Sequence, residues 1–106
     1  MTGVQIASSS DQATGEVYVP PRRFASDGSL RPCEESSIAA TGVLRAMTAI
    51  AGQGYGLIDL DHDVRVQVRI AGTDHRVGEV YEGRYREDVG ERDGAAQIGD
   101  LEFHRA

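Results

Sequence analysis

Lysine and tryptophan are absent from this 106-residue chain, and it holds one cysteine, three histidines and two phenylalanines. A single cysteine rules out an internal disulfide, so a reducing, cytoplasmic setting is the expectation. Cys33 has no Cys-x-x-Cys partner and no histidine at ligand spacing, and reads as an ordinary thiol. No stretch approaches the roughly 20 apolar residues that span a bilayer. Nor does a basic segment followed by an apolar one open the chain, so neither a membrane span nor a secretory leader is expected. With so few aromatics, aliphatic side chains must build the core. Without lysine, all eleven basic residues are arginine. That reads either as base-composition bias in a GC-rich genome or as guanidinium recognition of phosphate or carboxylate groups. The net charge of −6 argues against a general nucleic-acid binder, whose affinity rests largely on neutralising phosphates.

What the chain does have is glycine, thirteen of them beside three prolines, which implies many turns and short strands around one core. The stretch from Gly54 to Gly72 is the most informative. It reads as two strands joined by an acidic turn, at about Tyr55–Leu60 and Val64–Ala71. In the second, Val64, Val66, Val68 and Ile70 alternate with Arg65, Gln67 and Arg69. Successive side chains of a strand point to opposite faces, so this strand has one buried face and one wet, basic face.

Other strands are expected at Thr41–Ile50, Tyr81–Arg86 and Gln97–His104, with a short extended piece at Glu16–Val19. The segment from Ser36 to Ala51 could also pass for a helix, although Thr41, Gly42, Val43 and Thr48 weigh against it. Ser26-Asp27-Gly28-Ser29 and Gly72-Thr73-Asp74 read as turns, and Gly52-Gln53-Gly54 as a hairpin loop. Arg31–Ser37 is polar and ambiguous. Residues 7–15 are small and polar and read as flexible. Five strands between glycine-rich turns suit a closed barrel of the five-stranded OB type, all-β in class, with an open sandwich as the alternative. The expected division is a flexible N-terminus (1–15), an arm (16–40) and the barrel (41–106).

The succession Val19-Pro20-Pro21-Arg22, Thr41-Gly42-Val43, Leu57-Ile58-Asp59-Leu60-Asp61 and Val77-Gly78-Glu79-Val80 resembles the acyl-CoA-associated zinc-ribbon/OB-fold proteins. These are small partners of thiolases and thiolase-like enzymes. The resemblance covers about residues 16–104, and the order of the motifs carries it. It implies an OB barrel preceded by a ribbon with two Cys-x-x-Cys pairs that bind zinc. Here Phe24-Ala25-Ser26-Asp27-Gly28-Ser29 stands where the first pair would fall, and only Cys33 remains. A structural zinc site needs about four Cys or His ligands. The expectation is therefore no zinc or other cofactor, and a degenerate ribbon reduced to a loop or hairpin held by packing. By resemblance the chain is a non-catalytic accessory subunit of a thiolase-fold or ketosynthase-like enzyme acting on acyl thioesters, in acyl-CoA metabolism or polyketide biosynthesis. Its implied role is to stabilise the complex and to help position acyl-CoA.

Candidate sites are few. Pro20, Pro21, Arg22, Arg23 and Phe24 join an aromatic anchor to a cationic arm and form a docking segment or a plain surface loop. Arg65, Arg69, Arg84 and Arg86 would form a patch for CoA phosphates or an acidic partner if their strands are neighbours. Otherwise they belong to an ordinary polar face, paired with Glu79, Glu82 or Glu87. Asp59, Asp61, His62 and Asp63 form the densest acidic cluster. A calcium loop would need glycine after the third aspartate and glutamate at the twelfth place, where Val64 and Ile70 stand, so a solvated turn is expected. An OB-fold binding single-stranded nucleic acid is the alternative function, with Tyr55, Tyr81 and Tyr85 as stacking residues and the acidic balance against it. No nucleophile motif is present, so an enzyme in its own right rests on the Asp/His turn alone.

Overall fold

Val64, Val66, Val68 and Ile70 all point inward at 7% exposure or less, while Arg65 and Gln67 face solvent, as the alternation requires. The computed structural model describes residues 3–72 and 75–106. Within them lie eight strands and one 3-10 turn at Ile98–Asp100. They are β1 (Gln5–Ser10), β2 (Val17–Tyr18), β3 (Glu34–Ala39), β4 (Thr41–Ile50), β5 (Gln53–Asp59), β6 (Arg65–Ile70), β7 (Val80–Tyr85) and β8 (Leu101–Arg105). Among the described residues no helix is long and apolar enough to cross a membrane.

Strands β4–β8 close into a barrel in the order β4-β5-β6-β8-β7, with β7 returning to β4. Counted within the barrel, that order is 1-2-3-5-4, the Greek-key arrangement of the OB-fold. The pairing is antiparallel except where β6 meets β8 in parallel, Arg69 beside Glu102 and Ile70 beside Phe103. The open sandwich is thereby excluded. The helical alternative for residues 36–51 is excluded as well, because β4 is extended over all ten residues and pairs with both β5 and β7.

The core is aliphatic apart from Tyr81 and Phe103, buried at 1% and 0%. Each fully buried Val, Leu or Ile contributes roughly 1.5–3 kcal/mol of transfer free energy. A bulge at Arg45 shifts the register between Leu44 and Ala46. Leu44 stays inside against Ile58, and Arg45 is released to the outer surface.

The N-terminus departs from expectation. Residues 5–10 are not flexible; they are the central strand of a three-stranded sheet, β2-β1-β3. Ile6 is fully buried and shares one core with Ile38, Ala40 and the barrel. The serines that gave the segment its mobile look are engaged: the Ser8 and Ser36 hydroxyls are hydrogen-bonded at 2.7 Å, and Ser9 Oγ accepts the Arg22 N–H at 2.8 Å. The ambiguous Arg31–Ser37 stretch supplies most of β3, which pairs with β1 at six positions.

Turns explain the remaining shifts. Ala51 and Gly52, both at positive φ, make a two-residue hairpin turn, so Gln53 and Gly54 belong to β5 and not to the loop. The turn expected at Gly72-Thr73-Asp74 lies in part outside the described residues.

Candidate functional site

The arm is built around one carboxylate. Asp11 follows β1, is 2% exposed, and receives Arg31 in a bidentate pair, Nε to Oδ1 at 3.1 Å and NH2 to Oδ2 at 2.6 Å. The same NH2 group reaches Asp27 Oδ2 at 2.9 Å. The Ala13 N–H and the Thr14 hydroxyl also donate to Asp11. Arg31 therefore clasps a small hairpin, residues 23–33, to the end of β1. Ala25 N–H donates to Arg31 O and Cys33 N–H to Arg23 O, each at 2.9 Å. The hairpin tip carries Gly28 at φ 80° and Leu30 at φ 60°, and Leu30 is 72% exposed. A degenerate ribbon held by packing was the expectation. Ion pairs and backbone bonds hold it instead, with Ala25 as its one buried apolar residue.

The clasp has a pH signature. Arg31 chiefly holds the Asp11 carboxyl well below the ordinary range, and bonds from Ser29, then Arg31, bring Asp27 down to about 2. A carboxylate whose folded pKa is depressed contributes stability that is complete above its unfolded pKa, about 3.9, and lost as pH falls through the folded value. Amide protection in residues 23–33 should therefore begin to decay below about pH 4 and go on falling through about pH 2, as Asp27 and then Asp11 take up protons. Arg31→Met should shrink that acid step, leaving the part that Ser29, Ala13 and Thr14 supply, so an unchanged acid profile in the variant would count against the clasp.

Among the described residues no cluster of His, Cys, Asp or Glu stands in for the zinc ligands that the resemblance implies. Cys33 is the only thiol, and the arm's nearby carboxylates, Asp11 and Asp27, are taken by Arg31. The residues do not fit a tetrahedral zinc site.

Pro20, Pro21, Arg22, Arg23 and Phe24 come together as one exposed run where the arm leaves β2. The Arg22 guanidinium lies 5.2 Å from the Tyr18 ring centroid, a cation–π distance. Among the described residues no carboxylate pairs with Arg22 or Arg23. Phe24 is 47% exposed beside them.

Three of the four barrel arginines gather around Glu102, Arg69 and Arg86 lining one cleft with Glu87, Asp88 and Glu102, while Arg65 lies apart. Strands β6 and β7 are not neighbours; β8 lies between them, and Glu102 sits between Arg69 and Arg84 in register. Arg84 pairs with Glu82 at 2.8 Å, and Arg86 with Asp88 at 2.6 Å. Arg65 lies at the far end of β6, where it shares Asp59 with Arg45. Bonds from Arg65 and then Arg45 lower the Asp59 pKa to about 2. Arg69 donates to Gln53 Oε1 at 2.8 Å and leaves its buried Nε without a partner.

Two arginines thus hold Asp59 at the base of the acidic turn. His62 and Asp63 sit at its apex at φ 60° and 58°, backbone values that His and Asp tolerate better than most residues. Both line a cleft with Thr14 and with Tyr18 and Arg22 of the arm.

On the outer face of β5 and β6, Tyr55 and Leu57 stand beside Gln67 and Ala46. They border a groove of about 250 Å³ that Met47 and Thr48 complete. This is the face OB-folds commonly use for ligands. Of the three tyrosines considered for base stacking, only Tyr55 is there. Tyr81 is in the core, its hydroxyl accepting the Arg76 N–H at 2.8 Å, and Tyr85 is partly buried against that core. Sequence reasoning missed Arg31 and Asp11, whose pairing joins positions 20 apart, and Arg45, whose outward aim depends on the bulge.

No family model matches the chain, and no curated protein matches it. Its architecture is shared with a solved structure, the "Ltp2-ChsH2(DUF35) aldolase", at a TM-score of 0.69 and 12% sequence identity. The match covers 95% of this chain and 84% of that one. At that identity the likeness is one of fold: β-sheet arm and five-stranded barrel together, over nearly the whole chain.

Proposed function

We propose that the chain is a non-catalytic accessory subunit that docks through its arm on a thiolase-fold or ketosynthase-like enzyme acting on acyl thioesters. One observation carries the docking element. In a chain of net charge −6, two adjacent arginines, without carboxylate partners among the described residues, flank an exposed phenylalanine on a clasped hairpin. Such a surface suits an apolar pocket rimmed by carboxylates, since buried aromatics and arginines supply most interface energy. Motif order supports the choice of enzyme class, and the shared fold with a chain of an aldolase that carries the DUF35 label is in keeping with it. The arm works without zinc in this reading. The groove beside Tyr55 and Leu57 is the surface we assign to acyl-CoA.

The test is a tagged pull-down from the native host with mass-spectrometric identification. A thiolase-fold enzyme at near-equal amounts is the expected result. Phe24→Ala should weaken its capture by about thirtyfold, the effect of removing a hot-spot aromatic worth roughly 2 kcal/mol. Arg22→Glu with Arg23→Glu should slow association and change its salt dependence. Recovery of the barrel alone would remove the reading.

A further inference from the structure

We propose that the β4–β5 hairpin joins two copies of this chain by pairing the free edge of β4 with itself. The proposal rests on the hairpin alone and uses none of the arm residues.

Strand β4 pairs with β5 along nearly its whole length, but with β7 only at Thr41–Val43. The loop before β7 reaches one position further: Leu44 N–H donates to Glu79 O at 3.0 Å, and Gly78 N–H to Leu44 O at 2.8 Å. From Arg45 to Ile50, no described backbone group is hydrogen-bonded to the other edge of β4. Ala46, Thr48, Ala49 and Ile50 are exposed there, Ile50 at 59%.

An open edge of this kind invites another strand, and proteins usually protect it with lysine, proline, inward charges or a bulge. Here the bulge lies at Arg45, at the base of the free stretch, and none of these devices occurs between Ala46 and Ile50. The chain from Ala46 to Ile58 has no charged side chain, although charged residues make up 26% of the whole.

Charge selects the occupant. Two copies at −6 each repel over most of their surfaces, and the neutral hairpin lets them meet without setting like charges together. The edge is also self-complementary. In an antiparallel pair centred on Thr48, Ala46 of one copy lies opposite Ile50 of the other, small against large at both ends. Such a contact is isologous, so it closes at two copies and leaves no free β4 edge for a third.

Sedimentation of the full chain over a concentration series tests this. The mass should rise from 11.4 kDa toward twice that value. Thr48→Lys and Thr48→Glu should each weaken dimerisation at least tenfold by placing like charges opposite one another. An equimolar mixture of the two should restore the dimer, because opposite charges then meet. Ala49→Lys gives a second edge variant should Thr48→Lys misfold. A wild-type chain that stays at 11.4 kDa up to millimolar concentration would overturn the proposal. So would a mixture no more dimeric than its components, or an edge that proves to hold an enzyme strand, seen as lost enzyme capture by Thr48→Lys in a monomeric chain. Phe24→Ala and the Arg22/Arg23 variants leave this dimer intact, so the two readings fail separately.

Discussion

Gly42→Ala is expected to destabilise the barrel strongly. A Cβ at this position would lie 2.2 Å from Asp59 O, 2.8 Å from Asp59 C and 2.7 Å from Ile58 Cγ2. Two of these three are backbone atoms of β5, held on their far side by pairing with β6. They cannot swing aside as the end of a flexible side chain would. Gly42 itself is paired with Tyr81 of β7, at the seam where the barrel closes. Forcing the strands apart there costs about 3 kcal/mol, the upper end for an overpacked site and a large part of the roughly 5–15 kcal/mol that holds a small domain together. Urea unfolding would read it as a large fall in midpoint. Gly99→Ala is the control, since nothing lies within 4 Å of its added Cβ and its effect should stay within about 0.5 kcal/mol. Equal midpoints for the two variants would show that β4 and β5 do not approach so closely.

Phe103→Ala should cost about 3–5 kcal/mol through lost transfer energy and the cavity it leaves. The ring is fully buried and lies over Gly83, whose added Cβ would come within 3.1 Å of Phe103 Cζ and 3.0 Å of Ala40 Cβ. Glycine and phenylalanine thus share one volume across the β7–β8 pair, where the two residues stand opposite each other. Gly83→Ala alone should overpack the site by about 1–3 kcal/mol. Combined with Phe103→Leu it should cost less than the sum of the single changes, by an interaction energy of about 1 kcal/mol. Strict additivity in thermal or urea unfolding would refute the shared volume.

These two glycines also mark the limit of what the sequence discloses. The alternation Val64, Val66, Val68, Ile70 was legible because a period of two survives in any single strand. The bounds of β4 followed from β-branched residues and the glycine turn after Ile50. Strand count and turn spacing then pointed to the OB barrel. The β1 strand was not legible, because Ser8, Ser9 and Asp11 look solvated until their partners at positions 36, 22 and 31 are brought to them. The same holds for the barrel arginines. Alternation shows that Arg69 and Arg84 face outward, but not that β8 inserts Glu102 between them. In the arm, Arg22, Arg23 and Phe24 were visible as a run, whereas the clasp that fixes their hairpin depends on contacts across 20 residues.

The position of β8 has a consequence in time. It stands between β6 and β7, yet both precede it in the chain, and its parallel contact with β6 has no hairpin to nucleate it. A chain made from its N-terminus must hold β6 with one side unpaired until residues 101–105 have emerged. The N-terminal sheet pairs within residues 5–39, but its bridge from Ile6 to Ala96 waits almost as long. Non-local pairings of this kind form slowly and expose apolar surface meanwhile. During synthesis the barrel therefore closes last, and a nascent chain halted before residue 96 has a clasped arm but no closed barrel to seat it on.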